Sequence, residues 1–131
     1  MCSTVRKTAR ALTNLYDRIL APSGLLSTQY SVLRKIEAQP LSITELAQAL
    51  DLDRTTLGRN LRIMERRRLV KLMTGDDQRQ RLVSPTAQGR SAFNAAVPLW
   101  RSAQGIVNHE LGSGERERLF ATLSRLDSLD S

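Results

Sequence analysis

Six arginines fall between residues 54 and 68 of this chain, at 54, 59, 62, 66, 67 and 68, with a single glutamate, Glu65, among them. A guanidinium is a planar fork of donors that pairs two at a time with a phosphate or with the O6/N7 edge of a guanine. Thr55 and Thr56 add hydroxyls that can contact phosphate, or methyls that can meet a thymine. Gly58 lets the backbone come close to a partner. Solvated helix faces usually alternate in sign, and this one does not. The chemistry on offer is recognition of a polyanion.

The whole chain carries the same bias. Twenty basic residues, 17 Arg and 3 Lys, stand against thirteen acidic ones, giving +7 and a pI near 10.7. Such a balance points to nucleic acid or an acidic membrane surface. Arginine over lysine favours planar contact to phosphate or guanine, although a GC-rich genome would give the same preference. At 131 residues the chain reads as one domain (1–131). No apolar run reaches membrane-spanning length, and "MCSTVRKTAR" lacks the apolar core of a signal peptide, so no membrane partner and a cytoplasmic location are expected. One cysteine cannot make an internal disulfide.

Several elements must position the arginines. Val5, Ala9, Leu12, Tyr16 and Ile19 follow a helical period over about residues 4–20, which "APSG" ends. Ser27 or Thr28 can cap a second helix holding Tyr30, Leu33 and Ile36. In "LSITELAQAL", Ser42 with Glu45 three residues on forms a capping box before Leu46, Ala47 and Leu50. Asp53 caps the arginine-bearing helix, whose Leu57, Leu61 and Met64 make one apolar seam. Two short β-prone runs, "VKLMT" and "RLVS", flank "GDDQRQ" as a hairpin with a charged tip. Thr86 then caps a long helix of about 87–111, which Pro98 should kink. A last helix carries Leu119, Leu123 and Leu126.

Residues 43–62 fit a helix-turn-helix. Ala47 is small where the helices cross, and Leu46, Leu50, Leu52 and Leu57 are apolar inside. Asp51 replaces the usual turn glycine, and aspartate tolerates the left-handed conformation better than most residues. The second helix of this motif enters the DNA major groove by its N-terminal residues. With Leu57 inward, a step of about 100° per residue puts Thr55, Arg59, Arg62 and Arg66 within about 40° of the opposite face. Arg54, Thr56 and Gly58 flank them. The hairpin extends the patch as a wing. Arg79 at its tip is the candidate for the minor groove, with Arg81 next and Asp77 holding an arginine or a loop amide in place. The expected fold is mainly α with a small β-hairpin: a winged helix-turn-helix domain (28–85) flanked by N- and C-terminal dimerisation helices (1–24 and 87–131).

The stretch "LSITELAQALDLDRTTLGRNLRIMERRRLVKLMTGDDQRQRLVSPTAQGR" resembles the core of the MarR (multiple antibiotic resistance regulator) family. Asp77 and Arg79 match its D-x-R wing pattern, and Thr86 and Gly89 match a following T-x-x-G. Arg68 stands where the family usually ends the recognition helix with glycine, and Pro85 replaces a usual leucine. The resemblance implies a homodimeric transcription regulator, often a repressor, released from its operator by a small ligand or an oxidant.

Pairing has independent support from apolar stripes on the outer helices, Leu12, Tyr16 and Ile19, then Val107, and Leu119, Leu123 and Leu126. A two-fold axis would bury them and set two recognition helices roughly 34 Å apart along a duplex. Cys2 ahead of Tyr16 resembles the hydroperoxide-sensing branch of the family, in which tyrosines hydrogen-bond a reactive thiolate. Arg6 and Ser27 occupy the positions of other such tyrosines, so the thiol-based repressor is an alternative reading. Trp100 could line a pocket for a small aromatic effector. His109 has no ligand partner at zinc spacing, and no metal or cofactor is expected. No phosphate loop, nucleophile–base pair or carboxylate pair suggests an enzyme. The rival of another class is a winged helix that binds protein and never touches DNA.

Overall fold

The computed structural model describes residues 1–76 and 80–130. Helix α1 spans Cys2–Leu20 and lies along α5 (Ala87–Leu111), which runs on through Pro98. Between them in sequence come α2 (Ser27–Ile36), α3 (Ile43–Leu50) and α4 (Arg54–Arg66). Strands β2 (Val70–Thr74) and β3 (Arg81–Pro85) follow α4, and α6 (Glu115–Asp127) follows α5. The core under α4 is made by Leu57, Leu61 and Met64 meeting Leu33, Ile36, Leu46 and Val83.

The expected hairpin is present, with Val70 opposite Pro85 and Leu72 opposite Val83. Gly75 N–H donates to the Gln80 carbonyl at 2.8 Å to draw its ends together. A third strand, β1 (Leu41–Ser42), pairs antiparallel with Val83 and Leu82, so the sheet order is β1-β3-β2. Two residues carry no strand periodicity of their own. This strand exists because β3 offers its free edge.

The local signals placed the helix starts well, with one exception. Ser42 accepts from Glu45 N–H at 3.0 Å while Glu45 accepts from Ser42 N–H at 3.0 Å, the expected capping box. Thr86 accepts from Gly89 N–H at 2.9 Å. Helix α2 is started differently: neither Ser27 nor Thr28 caps it. Ser27 is already helical, its N–H donates to Asp17 Oδ1 of α1 at 2.7 Å, and Leu26 N–H donates to Gln29 Oε1 at 3.0 Å. A residue ten positions upstream does the work that the local hydroxyls were expected to do.

Helices α3 and α4 end alike, on left-handed residues that are not glycine. Asp51 has φ 53°, with Asp51 N–H donating to Gln48 O and Leu52 N–H to Ala47 O. Arg68 has φ 61°, with Arg68 N–H donating to Glu65 O and Leu69 N–H to Met64 O. Each is a Schellman turn that closes the last helical carbonyls. The sharp reversal at Asp51 is what the helix-turn-helix requires.

Candidate nucleic-acid interface

Helix α4 is held by one side and open on the other. Leu57, Leu61 and Met64 are buried, while Arg54, Thr55, Arg59, Arg62 and Arg66 are exposed and Gly58 is half-buried. Its N-terminus is tied by Asp53, whose carboxylate accepts from Thr56 N–H at 2.7 Å and from the Thr56 hydroxyl at 2.9 Å. Those bonds, with a lesser pull from Arg59, lower the Asp53 pKa from its ordinary value. The Thr56 hydroxyl hydrogen is therefore spent on the cap, and its oxygen is left as acceptor only.

The sheet adds a second cationic edge. Arg81, exposed at the start of β3, and Arg54, at the start of α4, line one groove with Ser42, Glu45 and Gln80. The hairpin and α4 thus share a concave surface with a guanidinium on each element. Asp77 and Arg79, expected at the wing tip, lie outside the described residues.

The six arginines do not all face outward to a partner, as the sequence suggested. Arg67 follows α4 and folds back on its own chain. Its Nη2 donates to the Gly24 carbonyl at 2.7 Å and its Nη1 to Gln29 Oε1 at 3.3 Å. Helical spacing cannot reveal this, because Gly24 and Gln29 are about forty residues away in sequence.

One apolar groove is left open where α1, α5 and α6 meet. Leu12 of α1, Val107 of α5 and Leu119 of α6 line an open groove of about 280 Å³ with Leu15, Ile106 and Leu111. Helix α6 has no buried residue: Leu119 is 41% exposed, Phe120 53% and Leu126 40%, with Leu123 half-buried. Phe120 and Ile106 were not singled out from the sequence, though both sit beside residues that were.

Tyr16 and Ile19 are half-buried within the chain itself. The Tyr16 ring packs 4.6 Å from Trp100, and its hydroxyl donates to Gln104 Oε1 at 2.8 Å. Burial pushes the Tyr16 pKa up, against the pull of Arg116. Cys2 is exposed at the other end of the same helix. Fourteen residues at about 1.5 Å each put the two about 21 Å apart, so Tyr16 does not hydrogen-bond the thiol within one chain.

Trp100 lines a cavity of about 260 Å³ between α1, α2 and the turn before α4, with Leu12, Tyr16 and Leu52 as apolar walls and Ser27, Thr28 and Ser31 supplying hydroxyls. On its other side Trp100 stacks on Tyr30 at 4.3 Å, and Tyr30 on Phe93 at 5.1 Å. Trp100 is both core and cavity wall. No helix among the described residues is long and apolar enough to cross a membrane.

Comparison with known proteins gives concordant matches. A model of the MarR family matches residues 23–80. The transcriptional regulator HosA of Escherichia coli O111:H- is 35% identical over 103 residues, which cover 77% of this chain and 76% of HosA. The structure of the M. tuberculosis transcriptional regulator MosR in complex with DNA superposes with a TM-score of 0.86 at 42% identity, covering 98% of this chain and 96% of MosR. An S. aureus MepR–DNA complex shares the fold, with a TM-score of 0.88 at 20% identity over 98% of this chain and 96% of MepR.

Proposed function

This chain belongs to the MarR family of winged helix-turn-helix transcription regulators, and from that premise we propose that it binds a pseudo-palindromic operator in duplex DNA as a homodimer and represses until a small ligand releases it. The observation that carries this reading is the open face of α4. Thr55, Arg59 and Arg62 project from a helix whose opposite side is locked into the core, beside a groove shared by Arg54 and Arg81. Arg59 is the residue for a guanine edge, Arg54, Arg62 and Arg81 for phosphate, and Thr55, Thr56 and Gly58 for close approach. Asp77 and Arg79, outside the described residues, are proposed as further DNA contacts on the strength of the sequence alone.

Homodimerisation draws support from the uncovered apolar groove of Leu12, Val107 and Leu119 and from α6, which buries nothing within the chain. The release step draws support from the cavity beside Trp100, which touches α1, α2 and, at Leu50 and Leu52, the turn between α3 and α4. A small aromatic molecule there would act on the joint between the outer helices and the DNA-reading helix.

Fluorescence anisotropy with labelled duplex tests the reading. A DNA-binding regulator loses affinity log-linearly with salt, by several powers of salt concentration. Weak binding with no salt dependence would instead leave a winged helix that recognises protein.

A further inference from the structure

The arginine that turned away from the recognition surface has a second consequence. Arg67 closes α4, and its guanidinium bridges the Gly24 carbonyl at 2.7 Å and Gln29 Oε1 at 3.3 Å. Gln29 is itself 2% exposed, and the same Oε1 accepts Leu26 N–H at the start of α2. One residue further, Ser27 N–H is held by Asp17 of α1. The Arg67 carbonyl accepts from Gln88 Nε2 of α5 at 3.3 Å, and the Arg68 carbonyl accepts from the Thr86 hydroxyl. The end of the recognition helix is thus fastened on one side to the elbow between α1 and α2. On the other it is fastened to the first turn of α5.

We propose that Arg67 is a positioning residue for DNA binding: its two-pronged bridge to the Gly24–Gln29 elbow sets the pitch of α4 relative to the outer helices, without contacting DNA. The inference rests on the proposed function above. Its chemistry is specific to arginine. The two acceptors are a main-chain carbonyl and a side-chain amide oxygen, and a planar fork reaches both at once where an ammonium has no fixed pair of divergent donors. A main-chain acceptor at Gly24, φ 79°, also makes the elbow's own geometry part of the link. Any shift of α1 against α2 is passed to α4 through this contact, because the amide oxygen that Arg67 holds also caps α2.

The test compares wild type, Arg67→Met and Arg67→Lys for binding to a selected duplex across a salt series, at a temperature where all three are fully folded by circular dichroism. The expected result is roughly tenfold weaker binding for Arg67→Met with the slope of log affinity against log salt unchanged, and only partial recovery in Arg67→Lys. A nitroxide at Asn60→Cys, in a Cys2→Ser background, supplies a reading that a merely stabilising contact would not move. The distance distribution between the two α4 helices of the dimer should broaden in Arg67→Met. A slope shallower by about 0.9 would make Arg67 a phosphate contact and overturn the proposal. Full recovery by lysine would assign the effect to charge alone, and unchanged affinity in Arg67→Met would remove any role. Wild type showing no salt-dependent binding is a separate outcome, which defeats the DNA-binding reading on which the inference rests.

Discussion

Gly89 in the first turn of α5 lies so close to Leu69 that a β-carbon there would come within 1.9 Å of the Leu69 carbonyl oxygen. That carbonyl is backbone, held by Thr86 N–H at 3.1 Å, so it cannot swing aside as a side chain would. Gly89→Ala should therefore destabilise the fold by about 1–3 kcal/mol or more, measured by urea unfolding. A variant as stable as the parent would show that α5 can lift off the end of α4 freely.

Arg68 pays for its left-handed backbone, φ 61°, with a β-carbon that crowds the following carbonyl. Arg68→Gly should stabilise the protein by about 0.5–1 kcal/mol, the relief of that crowding less the extra entropy of an unfolded glycine. Thermal unfolding checks it, and a drop in midpoint would place an unrecognised contact on the Arg68 side chain.

Asp53 and Glu45 are the cap carboxylates of α4 and α3, and hydrogen bonds from Thr56 and Ser42 lower both pKa values. A carboxyl with a depressed folded pKa contributes stability fully above its unfolded value, and that contribution is lost as pH falls through the folded one. Unfolding midpoints measured downward from pH 5 should fall below about pH 4, and less steeply in Asp53→Asn. Identical profiles for variant and parent would detach the Asp53 cap from acid sensitivity.

Arg59→Ala should weaken operator binding by about 1–3 kcal/mol and relax sequence preference at one position of each half-site. Arg54→Ala should weaken all sequences alike and make the salt slope shallower by about 0.9. Anisotropy titrations on matched and mismatched duplexes separate the two behaviours.

Leu119→Glu would set a charge in the groove shared with Leu12 and Val107. Sedimentation velocity should find the parent dimeric and this variant monomeric at the same concentration, and the variant's operator affinity should fall with it. A dimeric Leu119→Glu would move the interface elsewhere on the surface.

What could be read from the sequence was what the chain decides locally. The Ser42–Glu45 box, the Asp53 and Thr86 caps and the left-handed Asp51 each depend on atoms within a few residues. The amphipathic seam of α4 was equally legible, because three buried positions at helical spacing fix which side is left open. Strand β1 was not, since its pairing partners lie at Leu82 and Val83, and neither was the start of α2, which depends on Asp17. Arg67 looked like its neighbours because charge and spacing say nothing about a carbonyl at Gly24. Local rules give the elements, and only the packed chain says which of several identical side chains has been used internally.

Trp100 is the chain's only tryptophan, and it stands between Tyr16 on one side and Tyr30 on the other, at 4.6 Å and 4.3 Å. Its indole therefore works as a built-in optical gauge at the place where three helices meet. Any event that prises α1 from α2 or admits water beside the ring should change its emission colour, and the motion can be timed without attaching a dye.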